Sequence, residues 1–216
     1  PLRGRIKENN LMSKSATAAP QVEPVRVSIP RLKVETFTVS LVGDSPLIVH
    51  KFSEKAKKEM LAKQMKEAKQ AKAAKDPFRD YVESMYWLTP MPAKPTEKDV
   101  EKAKFGFPAI GFKAAAVDAC SHVSDLTKVE ARGAFHIPTE FVEIIGKPQM
   151  REDVVRLMGT TTDLRYRGEF RDWRVKFQVR HNPNVLSVEQ IINLFNVAGF
   201  AIGVGEWRPQ KDGSNG

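Results

Sequence analysis

The chain has 216 residues, of which 41% are hydrophobic, and this length allows one sizeable core. It carries 35 Lys and Arg against 26 Asp and Glu, and the resulting net charge of +9 favours an anionic partner. No apolar run reaches the roughly 18 residues that a membrane-spanning helix requires, so we predict no membrane partner. The single cysteine, Cys120, excludes an intrachain disulfide and zinc-finger ligand sets, and we expect an intracellular, cytoplasmic protein.

Residues 1–33 are rich in Pro, Ser, Ala and Lys and show little hydrophobic periodicity. Such a composition is typical of a disordered segment, because it has too little apolar surface to offset the entropy lost on folding. We predict a disordered N-terminal segment over residues 1–33 and a single folded domain over residues 34–216, with insertions at about 53–104 and 146–171.

The domain begins with a half-buried strand, since Phe37, Val39 and Leu41 alternate with polar residues. A turn at residues 43–46 follows, and residues 47–49 resume an extended apolar run. These features predict two short strands separated by a tight turn.

A lysine-rich helix is predicted over residues 54–75, with Ser53 placed to cap its first turn. Residues 51–75 hold nine Lys against three Glu, so this segment contributes +6 of the net charge. Its thin apolar content predicts packing along one narrow stripe, formed by Met60, Leu61 and Met65. The cationic side of this helix has a partner or is only solvated, and the sequence leaves both open.

The next helix is predicted over residues 112–123, because apolar side chains recur there at helical spacing: Phe112, Ala116, Ala119 and Val123. Between the two helices, residues 79–88 form an apolar-rich element of undecided type, and residues 89–104, with three prolines, form a loop. Lys113 lies at the start of the second helix, where free N–H groups and its ammonium group would bind an anion. The alternative is an exposed lysine without a partner.

Residues 135–145 predict one or two strands interrupted at Pro138, and residues 146–171, rich in arginine, predict a hairpin-like excursion. Residues 172–180 are the clearest strand. One face carries core residues, Trp173, Val175, Phe177 and Val179, and the other carries polar ones, Arg174, Lys176, Gln178 and Arg180. A face with three cations suits a phosphate backbone and equally suits plain solubility.

The last helix begins with a capping box formed by Ser187 and Gln190. Its predicted buried stripe is Val188, Ile191, Ile192 and Phe195; Gly199 is expected to end it, and residues 202–204 to form a strand. Without the insertions, the order of elements predicts an α+β fold with a ferredoxin-like, RRM-like βαββαβ core, into which the Lys-rich helix and the hairpin-like excursion are inserted.

The final segment combines glycines with cationic and aromatic residues. A turn that contains Trp207, Arg208 and Lys211 is surrounded by five glycines: Gly199, Gly203, Gly205, Gly213 and Gly216. Because glycine permits a positive φ and close backbone approach, we predict a loop shaped for a partner, with Trp207 stacking on a base. The alternative is a helix cap followed by a mobile tail.

No catalytic or metal-binding pattern is recognisable. The histidines at 50, 122, 136 and 181 are scattered, so structural or surface roles are expected. The carboxylates Asp44, Asp118 and Asp163 form no acid–base pair in the sequence, and Cys120 is predicted to be a small core residue. We therefore predict no catalytic residue, no metal site and no cofactor.

Three segments, in order, resemble the RAMP superfamily, the repeat-associated RNA-binding proteins that include backbone subunits of CRISPR effector complexes. They are the strand, turn and Pro-Leu step over residues 38–49, the Pro-Ala-Ile-Gly-Phe-Lys segment over residues 107–116, and the glycine-rich loop over residues 203–216. The chain is also similar to a group of tailed-phage proteins of unassigned role. Ile110 and Gly111 depart from the paired serines of the family, Ala114 from its glycine, and we expect truncation of a last strand after Gly216.

The resemblance implies subunits that stack head to tail along a single strand of RNA or DNA, as a homo-oligomer or with other subunits of a nucleoprotein complex. It also implies a location in a bacterial host cell, with either the host or a phage as the source of the gene. The residues expected to contact that strand are Lys113, Arg165, Arg167, Arg174, Lys176, Trp207, Arg208 and Lys211, with the glycine loop. Family members that cut RNA use an Asp after the first strand, where this chain reads Val49-His-Lys-Phe-Ser, so no cleavage activity is assigned.

Three hypotheses follow. The first is a single-stranded nucleic-acid-binding protein that oligomerises along its ligand, either CRISPR-backbone-like or a phage protein that coats or anneals single-stranded DNA. The second is a phage or mobile-element assembly protein without nucleic-acid binding. The third is a RAMP-type ribonuclease.

Overall fold

The computed structural model describes residues 29–67, 74–157 and 161–211. Residues from Leu32 onward belong to one compact unit. It is a mixed α+β structure with antiparallel sheets, which confirms the predicted class. Most of the predicted disordered segment, residues 68–73, and Gly213 and Gly216 lie outside the described residues. The lysine-rich helix ends at Gln64, with Met65 as its C-cap, and not at residue 75 as predicted.

The larger sheet is antiparallel at every described strand pair. Its order is β1 (Glu35–Val42), β9 (Arg174–His181), β6 (Phe141–Ile145), β4 (Phe105–Pro108) and β3 (Tyr86–Trp87), and β5 (Phe135–His136) also pairs with β9. On the two sides of β9, Val39 of β1 lies opposite Phe177, and Ile144 of β6 lies opposite Val175. The interruption predicted at Pro138 is confirmed, because it separates β5 from β6.

The smaller sheet has the order β2 (Leu47–Val49), β8 (Thr161–Phe170) and β7 (Pro148–Leu157), again antiparallel. Strands β7 and β8 form one long hairpin, which confirms the excursion predicted over residues 146–171.

In the described part of the chain, six α-helices accompany the sheets: α1 (Glu54–Gln64), α2 (Pro77–Glu83), α3 (Glu97–Lys102), α4 (Ala109–Asp118), α5 (Lys128–Ala134) and α6 (Val188–Ala201). The cap predicted at Ser53 is confirmed, since its side chain accepts from the N–H of Ala56. The box of Ser187 and Gln190 at the start of α6 is also confirmed. Short 3-10 helices cover Ala119–His122 and Pro209–Lys211.

The core lies between the larger sheet and helices α4 and α6. The ring of Phe177 lies 5.4 Å from Phe112 of α4 and 5.7 Å from Phe195 of α6. Each fully buried aromatic side chain of this kind stabilises the fold by about 2–3 kcal/mol. Trp173 is buried as predicted, and its indole N–H donates to the carbonyl of Ser45 at 2.8 Å. Cys120 is buried too.

Helix α1 does not pack as predicted. None of its residues is buried, and Met60, Leu61 and Met65 are each more than half exposed. Two methionines and a leucine bury too little area to offset the ordering of long side chains, so capping and local pairs such as Lys57 with Glu54 support the helix instead.

The chain around Gly199 also differs from the prediction. Helix α6 continues through Gly199 to Ala201, and a Cβ at Gly199 would meet nothing within 4 Å. The strand predicted at residues 202–204 is wrong, because the chain turns there and forms only a single bridge between Ile48 and Glu206. In α6, Ile191 and Phe195 are buried as expected, but Leu194 and Ala198 complete the stripe instead of Val188 and Ile192.

Two short helices were not predicted. Helix α3 lies inside the expected loop over residues 89–104 and begins at a capping box of Thr96 and Asp99. Helix α5 begins at a capping box of Thr127 and Glu130. Both boxes were visible in the sequence, but each helix is too short for its apolar residues to show a helical period.

Candidate nucleic-acid interface

One face of the larger sheet is open to solvent and carries the cations of β9. Its residues alternate between buried and exposed as predicted. On the exposed face, Arg174, Lys176, Gln178 and Arg180 stand opposite Val42, Ser40, Thr38 and Thr36 of β1. The two strands therefore form a polar platform whose charged positions all lie on β9.

These charges form no ion pair with a described neighbour, although Glu143 of the adjacent β6 lies on the same face, where it pairs with Lys104. No carboxylate occupies the outward positions of β1 and β9, and no ion pair between described residues includes Arg174, Lys176 or Arg180. At about 3.3 Å per residue, the row from Arg174 to Arg180 extends for about 20 Å. An anionic chain lying along β9 would meet several cations in succession.

Lys113 of α4 adjoins the Arg180 end of this row. Its ammonium group donates to the carbonyl of Arg132 at 2.9 Å and lies 3.0 Å from Nδ1 of His136. It also lies 5.9 Å from the ring centre of Phe135. His136 stands opposite Arg180 in the pairing of β5 with β9, so His136 connects Lys113 to the cationic row.

Burial and neighbouring cations both act on this pair. Burial, and then the charge of Arg132, lowers the pKa of Lys113. Burial, followed by Lys113 and Arg180, lowers the pKa of His136 below 6.5. Because an ammonium group can only donate, Nδ1 of His136 accepts and the ring proton lies on Nε2. A bound phosphate would relieve the repulsion among these groups.

Arg167 was expected to contact the strand, and this is wrong. It lies in β8, its side chain is 3% exposed, and its guanidinium group donates to Asp153 at 3.1 Å. Asp153 also accepts from Arg151 at 2.8 Å. Arg167 is therefore part of a buried ion-pair network that joins β7 to β8.

Arg165 lies in the same strand and is half-buried. Its Nε is 3.7 Å from Asp163, and Asp163 accepts at 2.7 Å from Lys75. Arg165 therefore belongs to the smaller sheet and not to the cationic face of β9.

The glycine loop needs its glycines where the structure describes them. Gly203 has φ +69° and Gly205 φ +81°. A Cβ at Gly205 would lie 2.6 Å from the carbonyl oxygen of Ile48, and one at Gly203 would lie 2.7 Å from Pro209. The predicted positive φ and close backbone approach are confirmed at these two positions, and Gly213 and Gly216 lie outside the described residues.

The cations of this loop face partly inward. Arg208 donates to the carbonyl of Gly205 at 3.1 Å and to Gln210 at 3.4 Å, and Gln210 donates to Asp118 at the end of α4. Trp207 has φ +57° and is 37% exposed, and Lys211 is exposed. Arg208 thus holds the loop in shape, while Trp207 and Lys211 remain accessible.

The predicted site residues do not share one surface. The contact between Gln210 and Asp118 places the loop on the helical side of the larger sheet, whereas Arg174 and Lys176 point away from the helices. The expectation that sheet, helix lysine and glycine loop face the same strand is corrected accordingly. Lys113 joins the sheet face, and Trp207, Arg208 and Lys211 belong to another side.

Sequence reasoning missed four residues of the sheet face. Arg180 was placed on the correct side of its strand by alternation but was not named as a contact. His136 was expected to have only a structural or surface role. Tyr86 and Phe141, whose rings lie 5.4 Å apart, are brought together by the pairing of β3, β4 and β6, which no local pattern shows.

Comparison with known proteins does not assign a family, because no family model, curated protein or solved structure matches this chain. Among the described residues, no helix is long and apolar enough to cross a membrane. In the same part of the chain, no three His, Cys, Asp or Glu side chains are grouped as metal ligands.

Proposed function

We propose that this protein binds single-stranded nucleic acid along the outward face of β1 and β9. The observation that carries the proposal is the row of Arg174, Lys176 and Arg180, which has no carboxylate partner among the described residues and is extended by Lys113 and His136. These exposed cations lie in one row, so a polyanion that follows β9 would contact all of them at once and release its own counterions.

The shape of the face favours an unpaired strand over a duplex. Reading a duplex requires an element that enters a groove, whereas a broad open sheet can support a strand whose bases are unstacked. The Thr, Ser and Gln side chains supply neutral hydrogen-bonding groups, and arginine guanidinium planes can stack on bases without sequence preference. Both RNA and single-stranded DNA satisfy this chemistry.

The finer predictions stay proposals. Four of them are consistent with such a face but do not follow from it: head-to-tail assembly along the strand, a relationship to the RAMP superfamily, a place in a larger nucleoprotein complex, and a phage or bacterial origin. The ferredoxin-like core also stays a prediction: antiparallel neighbours are compatible with a split βαβ arrangement, in which a third strand separates the two parallel ones, but they are equally compatible with other α+β folds. The proposed binding face does not depend on that topology.

The test compares two triple variants with equal charge change. Arg174→Ala/Lys176→Ala/Arg180→Ala removes the row, and Lys94→Ala/Lys98→Ala/Lys102→Ala removes three exposed lysines near and within α3. Binding of a labelled 20-nucleotide RNA or DNA is measured by fluorescence anisotropy over a range of salt. The row variant should weaken binding and reduce the slope of log K against log salt by about 2, with the control near wild type. Equal behaviour of the two variants would refute the proposed face.

The assembly hypothesis remains the second candidate because of one observation. Phe200, on the last turn of α6, is 88% exposed, and an aromatic ring held in water marks protein interfaces more often than a scattered aliphatic residue does. If the purified protein binds no oligonucleotide, and Phe200→Ser changes its oligomeric state, the assembly role would be favoured. Intact RNA after long incubation would remove the ribonuclease hypothesis.

A further inference from the structure

A cavity of about 320 Å³ opens where the sheet face meets the start of α4. Its walls include Tyr86, Pro108 and Phe141 of β3, β4 and β6, Ile110 and Lys113 of α4, and Ile137 from the segment between β5 and β6. Tyr86, Pro108 and Phe141 share the outward face of the sheet with Arg174 and Lys176, as strand register shows. The cavity is therefore continuous with the surface proposed to bind the strand.

The walls are apolar and partly aromatic. The rings of Tyr86 and Phe141 are 5.4 Å apart and inclined by 42°, so they do not stack in parallel on each other. Both are half-buried, and among the hydrogen bonds between described residues none uses the hydroxyl of Tyr86. Burial raises the pKa of Tyr86, so this hydroxyl keeps its proton and can donate. Such walls suit a flat, polar-edged ring.

Lys113 supplies the one cation of the lining. Two of its three N–H directions are used by the carbonyl of Arg132 and by His136, which leaves one for a ligand. No ion pair in the described part of the chain includes Lys113. The other polar groups of the lining are Thr139 and Glu140, which can meet hydrogen-bonding atoms on the edge of a base.

We propose that this cavity receives one unpaired nucleobase of the bound strand, with a neighbouring backbone phosphate against Lys113. The inference rests on the proposed function and specifies it. The strand lies along β9, passes Arg180 and His136, and turns one base off the platform between Tyr86, Phe141 and the first turn of α4. Binding would then depend on the base held in the cavity, in addition to the contacts that the strand makes along β9.

The experiment separates the base from the backbone. Affinity is measured for a 20-nucleotide oligothymidine and for an abasic oligomer of the same length and charge, in wild type and in three variants. Ile110→Trp fills the mouth of the cavity from a side chain that is 69% exposed, so the fold should tolerate it. Tyr86→Leu removes one aromatic wall, and Tyr86→Phe is its matched control because it keeps the ring.

Wild type should prefer the oligomer with bases by about tenfold. Tyr86→Phe should keep most of that preference, whereas Ile110→Trp and Tyr86→Leu should lose most of it. The abasic oligomer should bind all four proteins alike, with unchanged salt dependence. A wild type that binds both oligomers equally, or an Ile110→Trp variant that keeps the full preference, would overturn the base site. Those results would leave the cationic row intact, whereas absence of binding to either oligomer would overturn the proposed function itself.

Discussion

The ammonium group of Lys113 lies 3.0 Å from Nδ1 of His136, and His136 stands opposite Arg180 across the pairing of β5 with β9. This relationship joins the start of α4 to the cationic row of the larger sheet. One end of the proposed binding face therefore holds three nitrogen groups, which repel one another when they are charged. A phosphate group bound there would neutralise them.

The affinity for nucleic acid should therefore depend on pH. The pKa of free His136 is lowered below 6.5 by burial, Lys113 and Arg180, and a bound phosphate would raise it, so binding takes up a proton. We expect affinity to rise as pH falls from about 7.5 to about 6. His136→Gln should flatten this dependence. Anisotropy titrations at constant ionic strength measure it, and identical pH profiles for the two proteins would contradict the role of His136.

The same shift has the opposite effect on folding. Because the pKa of His136 is lower in the folded protein than in the unfolded chain, its contribution to stability is complete above pH 6.5 and is lost as pH falls through the folded pKa. Without ligand, wild type should lose more stability than His136→Gln between pH 7.5 and 5. Urea unfolding at several pH values tests this, and parallel losses would argue against the shift.

The buried ion pair at Asp153 and the more exposed ion pairs at Asp163, both in the β7–β8 hairpin, should contribute very different amounts to the free energy of unfolding. Asp153→Asn leaves Arg167 charged and buried without its partner, which should cost about 3–5 kcal/mol of unfolding free energy. Asp163→Asn acts on the more exposed pairs with Lys75 and Arg165 and should cost less than about 1 kcal/mol. Chemical unfolding compares them. A small effect of Asp153→Asn would mean that Arg167 is more hydrated than its position indicates.

Two glycine-to-alanine changes provide a matched pair. Gly205→Ala forces a positive φ on alanine and drives its Cβ against the carbonyl oxygen of Ile48, so we expect a loss of about 1–3 kcal/mol. Gly199→Ala lies within α6, meets nothing within 4 Å and should stabilise by about 0.5–1 kcal/mol. Thermal unfolding of both variants decides the matter, and a stabilising Gly205→Ala would show that the turn can relax.

The separation of the two surfaces is testable by single substitutions. Because the glycine loop lies on the helical side, Trp207→Ala should leave affinity for a short oligonucleotide within about twofold. Lys113→Ala should weaken it by about tenfold, since a charge-assisted contact contributes about 1.5–3 kcal/mol. A large loss for Trp207→Ala would show that the strand also reaches the loop.

Local patterns predicted much of the secondary structure. Alternation in residues 172–180 assigned Arg174, Lys176 and Arg180 to the side opposite Val175 and Phe177, because side chains on a strand point to alternate faces. The capping box at Ser187 located the start of α6, since it satisfies N–H groups that every helix leaves free. The arginine-rich segment over residues 146–171 was identified as a hairpin.

The same patterns failed where neighbours decide the outcome. Arg167 looked like any other strand arginine, and only the pairing of β7 with β8 brings it to Asp153 and buries both. Gly199 was interpreted as a helix end, but α6 continues to Ala201 and is followed by the buried Ile202, because packing outweighs the low helix propensity of a single glycine.

The sequence by itself determined the mixed α+β class, the polar face of β9 and the need for glycine at positions 203 and 205, since these follow from the period of side chains and from backbone sterics. Only the tertiary structure decided which cations share a surface. It placed Lys113 beside His136 and Arg180, removed Arg167 from the surface, put Trp207 on another side and joined Tyr86 to Phe141. Those relations depend on strand order and helix packing, which bring together residues far apart in the chain.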